Sequence, residues 1–187
     1  MKKLLLVAVM VLTSAMTFAQ QKEGTLTIQP KVGLNIASLT DFDDSDPRFG
    51  VVAGAEFMYQ ATDMVGLSFG ALYSMQGAKY DKTTTKLDYI NIPVLANVYV
   101  APGFAVKLGL QPGFNVNSKA KAKGNGGAVE ADIDAKTVDL SIPIGLSYEF
   151  SNFVIDGRYN WGLTKVAKDS DCKNSVFQIT LGYKLPL

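Results

Sequence analysis

The sequence has 187 residues, with 18 Lys and Arg against 17 Asp and Glu, so a net charge of +1 leaves no basic surplus for holding nucleic acid. It contains no histidine, which removes the usual general base, the usual zinc ligand and every His-dependent triad. No catalytic constellation, cofactor motif or metal-ligand set stands out, so a non-enzymatic protein without cofactor is expected.

In chain order, the first element is a leader. "MKK" is a positive start, "LLLVAVMVLTSAM" an apolar stretch, and Thr17 and Ala19 are the small residues of a cleavage site. Residues 1–19 therefore read as a cleavable secretory signal, its apolar stretch being shorter than the ~20 residues of a membrane anchor. Residues 20–187 then form one domain, and loss of Lys2 and Lys3 takes the net charge to −1. Nothing later approaches the ~18 uninterrupted apolar residues of a membrane helix, so any membrane crossing must be made by strands. The single cysteine, Cys172, cannot form an internal disulfide, which leaves a thiol or an intermolecular contact.

Eight runs of period-2 alternation follow. Residues 25–38 set Leu26, Ile28, Val32, Leu34 and Ile36 against Thr27, Gln29, Lys31, Gly33 and Asn35. Residues 49–59 set Phe49, Val51, Phe57 and Tyr59 against Gly50, Gly54 and Glu56; residues 64–78 set Leu67, Phe69 and Tyr73 against Ser68, Gly70 and Ser74. In residues 88–100 Ile90, Val94 and Val98 alternate with Asn91 and Asn97, while Leu95 and Tyr99 break the pattern. Residues 104–117, 137–150, 153–166 and 175–187 repeat it, with Lys107, Asp139, Glu149, Asp156, Arg158 and Lys184 on the polar side. Short links ("QATDM", "APG", "SN") alternate with long polar ones ("LTDFDDSDPR", "KYDKTTTKL", "SKAKAKGNGGAVEADIDA", "AKDSDCKN"). That rhythm predicts an up-and-down antiparallel meander, and the parity of residues across "SN" agrees with one register only.

Three architectures share this pattern: a lipocalin-like soluble barrel carrying an apolar small molecule, a β-sandwich, and a transmembrane barrel with its apolar face in lipid. The polar face is mostly Gly, Ser, Thr, Asn and Gln, poorer in charge than a soluble surface. Its charges balance, as sealed charges must: Lys31, Lys107, Arg158 and Lys184 against Glu56, Asp139, Glu149 and Asp156. Apolar-face aromatics gather toward the strand ends, Tyr59, Phe104, Phe150, Phe153 and Tyr183 at one and Phe49, Tyr73, Phe114, Trp161 and Phe177 at the other. The expected fold is an all-β, eight-stranded antiparallel up-and-down transmembrane barrel.

"KVGLNIASL", "LYSMQGAKY", "YINIPVLANVYV", "IPIGLSYEF", "DGRYNWGLTKV" and "ITLGYKLPL" resemble, in order, the small porin-family, PorT-type outer-membrane barrels. The resemblance implies an eight-stranded barrel like OmpX or the OmpA membrane domain, placed in the outer membrane. It also implies, for one branch, association with protein-export machinery. The outward Phe177, Ile179, Leu181, Tyr183, Leu185 and Leu187 resemble the terminal signal read by the barrel-assembly machinery, with Leu187 in place of the commoner Phe.

Eight strands enclose an interior that side chains fill. The eight balanced charges are therefore expected to join one polar plug, the alternative being a narrow ion or water path past Arg158. Inward glycines are expected to make room. The Asp41–Pro47 stretch "DFDDSDP" lacks the Gly and Glu of a calcium loop and reads as a solvated acidic link. Lys119, Lys121 and Lys123 read as a surface loop, with lipopolysaccharide phosphates or an acidic surface partner as the alternative. The functional expectation is a monomeric outer-membrane barrel with a structural, adhesive or narrow-channel role carried by its long loops. A soluble apolar-ligand carrier and an export-machine accessory stand as the other readings.

Overall fold

Alternation with β-branched and aromatic residues on one side gives strands throughout the computed structural model, which describes residues 22–40, 46–80, 83–124, 127–133, 135–166 and 171–187. The strands are β1 (Leu26–Leu39), β2 (Asp46–Gln60), β3 (Val65–Tyr80), β4 (Thr83–Asn91), β5 (Val94–Ala101), β6 (Phe104–Gly124), β7 (Gly127–Asp132), β8 (Val138–Phe150), β9 (Phe153–Lys165), β10 (Lys173–Tyr183) and β11 (Leu185–Pro186).

All neighbours pair antiparallel, and β1 closes the sheet on β10 and β11. Eight staves result, because β4 and β5 lie end to end between β3 and β6, and β11 continues β10. The fourth stave breaks at Pro93, which has no N–H to give the ladder. There Ile92 donates to the Pro112 carbonyl at 2.8 Å, and the Pro93 carbonyl accepts from Gly70 at 3.2 Å. The short turns are tight: Ser151 takes φ 53° between paired Phe150 and Phe153, and Gly103 takes φ 72°, where glycine meets no Cβ penalty.

The apolar stripes face outward, as with Leu34 at 59% exposure and Trp161 at 56%. The polar stripes line the lumen, which excludes both a soluble carrier and a sandwich, since each buries its apolar face. Leu95 and Tyr99, the two residues that break the fourth run, point inward.

The long links differ from expectation at two places. "KYDKTTTKL" is largely strand, β3 running to Tyr80 and β4 resuming at Thr83. "SKAKAKGNGGAVEADIDA" holds the end of β6 and all of β7, paired from Lys119↔Asp132 to Gly124↔Gly127. With 21 residues, β6 far outruns the ~9–11 that cross a bilayer, so its last third stands clear of the membrane. Residues 1–19, expected from sequence to be a signal, residues 41–45 of the acidic link and residues 167–170 lie outside the described residues, as does the Lys123 side chain.

Candidate functional site

Period 2 sends Lys31 (β1), Glu56 (β2), Lys107 (β6) and Asp156 and Arg158 (β9) into the lumen. None is more than 4% exposed. Glycines flank these side chains across the ladders: Lys31 lies between Gly54 and Gly182, Glu56 faces Gly70, and Gly145 separates Lys107 from Arg158. The missing side chains leave the width that five long charged ones need.

Asp156 is the hub. It accepts from Arg158 at both oxygens, Nε to Oδ1 at 2.8 Å and Nη2 to Oδ2 at 2.9 Å. Its Oδ2 also meets the Lys107 ammonium and, at 3.5 Å, that of Lys31. Glu56 takes Lys31 Nζ at 2.6 Å and lies 2.9 Å from Arg158 Nη2. Three cations thus interlock with two carboxylates drawn from both ends of the chain.

The other three predicted charges stand apart from this interlock. Toward the short turns, Glu149 takes Lys184 Nζ at 2.5 Å and the Tyr99 hydroxyl at 2.8 Å. Toward the long links, Asp139 accepts from Thr164 Oγ1 at 2.7 Å and forms no ion pair among the described residues. Strand parity alone gives the side on which a residue lies but not its height, so the single plug resolves into separate levels.

Sequence reasoning missed a further pair at the long-link end. Arg48 Nη1 lies 3.5 Å from Asp88 Oδ1, and Asp88 Oδ2 accepts from Tyr73 at 3.1 Å and Asn117 at 2.8 Å. Just inside that mouth an apolar cap forms from Leu87, Tyr89 and Val166, with Leu39, Ile133 and Ala135 against it. The segment after β7 is drawn in by Lys136 N–H donating to the Val166 carbonyl at 2.7 Å. Cys172 lies buried beside this cap, its carbonyl accepting from Val166 N–H at 2.9 Å. The position does not suit an intermolecular disulfide.

Beyond the mouth, β3, β4, β6 and β7 form an outer extension whose rows are set by register. Gly77, Lys86, Lys119 and Asp132 make one row; Lys79, Thr84, Lys121 and Glu130 make the next but one, on the same face. Glu130 takes Lys86 at 2.5 Å and lies 3.9 Å from Lys121, and the Lys86 bond and charge hold its carboxyl below the usual range. Phe177, Ile179, Leu181, Tyr183, Leu185 and Leu187 all face outward, on staves that seal against β1.

A closed eight-stave barrel, apolar outside and charged within, defines a transmembrane β-barrel of the outer-membrane class. The chain belongs to the family described as outer membrane protein beta-barrel domain, whose model matches residues 18–168, and it is an outer-membrane protein. Among solved structures it is similar to Neisserial surface protein A (NspA), at 19% identity and TM-score 0.57, covering 87% of this chain and 100% of that one. It is also similar to Ail, the attachment invasion locus protein of Yersinia pestis, at 17% identity and TM-score 0.53, covering 87% and 99%. A second Ail structure, in complex with the heparin analogue sucrose octasulfate, is similar at 18% identity and TM-score 0.53, covering 87% and 99%. No curated protein matches the chain in sequence.

Proposed function

We propose that this protein is a sealed, non-catalytic outer-membrane barrel that works as a surface scaffold, its contacts made by the extension beyond the long-link mouth. The observation that carries the reading is the filling of the lumen, by the Asp156-centred interlock at mid-height and by the apolar cap at the mouth. Small outer-membrane barrels set short turns in the periplasm and long connections outside, which puts the extension at the cell surface. The Ail complex with a heparin analogue supports a surface-contact role for a barrel of this shape.

Residues 1–19 act as the export signal, and the outward C-terminal stripe from Phe177 to Leu187 serves recognition by the assembly machinery. The lipid around the barrel is its standing partner, and the chain works as a monomer. An accessory role in an export machine would use the same extension.

A second reading, a narrow water or ion path past Arg158, has one observation in its favour. Arg158 Nη1, Gln178 Nε2 and Gln29 Nε2 are buried donors with no acceptor among the described residues, a pattern that lumen water satisfies. Planar-bilayer recording of the purified full chain tests both. The scaffold reading expects silence from the native protein; reproducible unitary conductance that changes in Arg158→Ala would replace it with the path.

A further inference from the structure

On β4, Ile90 faces lipid at 41% exposure, and Lys86 has the same parity along a continuous β3–β4 register; the irregularity between Asp88 and Tyr89 lies in the pairing with β6, where Val116 is the extra residue. Lys79 has the parity of lipid-facing Tyr73 on β3. Lys119 is paired with Lys86, and Lys121 lies two positions further on the same face. The lysine face of the extension is thus the upward continuation of the lipid-facing wall. It looks sideways over the membrane, not up from its summit.

From Ile90 to Lys86 is four residues, about 13 Å of strand. At the tilt of such barrels this is roughly 10 Å of height above the last apolar row, which is headgroup depth. Four lysines share this face with Glu130 and Asp132, a surplus of two positive charges. Lys86 and Lys121 are engaged by Glu130, whereas Lys79 and Lys119 face outward from their rows with no acceptor among the described residues. Lys86 and Lys119 lie directly opposite one another, a juxtaposition of like charges that Glu130, already shared between Lys86 and Lys121, offsets only in part.

We infer that Lys79, Lys86, Lys119 and Lys121 form a binding site for phosphate-bearing headgroups of the outer leaflet. This inference rests on the scaffold reading and names the chemistry of one surface of it. Phosphate fits because each ammonium offers three donors to a multivalent anion, and the sideways aspect selects a membrane-borne phosphate over a soluble polyanion.

The test uses the full chain in zwitterionic micelles titrated with monophosphoryl lipid A, with bound lipid counted by native mass spectrometry. The variant is Lys79→Gln/Lys119→Gln, which leaves the Lys86–Glu130 pair that supports the hairpin. At about fivefold per net positive charge near a membrane surface, affinity falls on the order of thirtyfold. Dephosphorylated lipid A should bind the native protein as weakly as the variant binds the phosphorylated form. Lys22→Gln, at the short-turn end, should change nothing. Equal binding by native and variant proteins overturns the site, as does equal binding of the dephosphorylated lipid. Lysine-dependent binding of a heparin fragment tighter than that of the lipid also overturns it, in favour of a soluble polyanion. Heat-modifiable gel migration, measured on the same samples, reports separately on the barrel.

Discussion

Replacing Asp156 with asparagine keeps the shape of the side chain and removes its charge. In the folded barrel, Lys31, Lys107 and Arg158 would then face Glu56 alone, three cations to one carboxylate with every group buried. Breaking a buried pair by neutralising one partner costs about 3–5 kcal/mol, because the stranded charge stays out of water. Asp156 serves three cations at once, so the upper half of that range is expected, about a thousandfold in the folded-to-unfolded ratio.

Arg158→Met should cost less, since it leaves Lys31 and Lys107 against Glu56 and Asp156, two of each sign. Adding Lys107→Met to Asp156→Asn should restore part of the loss, a coupling of about 1 kcal/mol or more between touching residues. The assay is urea unfolding in lipid vesicles followed by the fluorescence of Trp161, the sole tryptophan, which is exposed to lipid when folded. The cost should persist at 1 M salt, because buried pairs are little screened. An unchanged midpoint for Asp156→Asn, or strict additivity in the double variant, would refute the interlock.

The C-terminal seam predicts that deleting Leu185–Leu187 exposes Thr27 and Ile28 as an unpaired edge and lowers the yield of heat-modifiable protein in membrane fractions; an unchanged yield would show that β11 contributes nothing to closure. A Cβ on Gly33 would come within 2.0 Å of the Ile179 carbonyl across the closing seam, so Gly33→Ala should cost about 1–3 kcal/mol in the same unfolding assay, and a neutral result would contradict that close approach. Glu130 is a pH-sensitive group of the extension. Its carboxyl is held below its ordinary 4.5, so its support for the β6–β7 hairpin is full above that value and lost as pH falls below it. Amide exchange over residues 127–132 should accelerate in acid for the native chain and show no such step in Glu130→Gln; the same step in both would assign it elsewhere.

Most of the barrel is legible in the sequence because lipid and lumen impose opposite demands on alternate residues, and Leu34 beside Asn35 carries that demand in two letters. The outer hairpin is written there too, since "SKAKAKG" alternates with period 2 as faithfully as any membrane strand. Lysine and alanine fit neither a lipid-facing nor a core-facing stripe, so the alternation carries no apolar signal and reads as a charge run. The pair Arg48–Asp88 escapes sequence reasoning because Arg48 lies just before the run that starts at Phe49, while Asp88 opens the fourth run with the parity of lipid-facing Ile90. Asp139, Glu149 and Lys184 do not join the interlock, contrary to expectation, because only cross-strand register fixes height, and register is a property of the closed sheet.

The interlock has a consequence for the order of events in assembly. Lys31 and Asp156 are 125 residues apart in the chain, and Lys107 and Arg158 arrive from different hairpins. A half-built barrel entering the bilayer would carry Lys31 and Glu56 without Asp156, Lys107 or Arg158, and charges so placed are heavily penalised in hydrocarbon. Lys31 and Glu56 can pair within the first hairpin, but their remaining partners come only with the later staves, so the electrostatics of the lumen favour closure of the whole barrel over partial insertion. In that sense the charges act as a completeness check, and a chain truncated before β9 fails it on physical grounds alone.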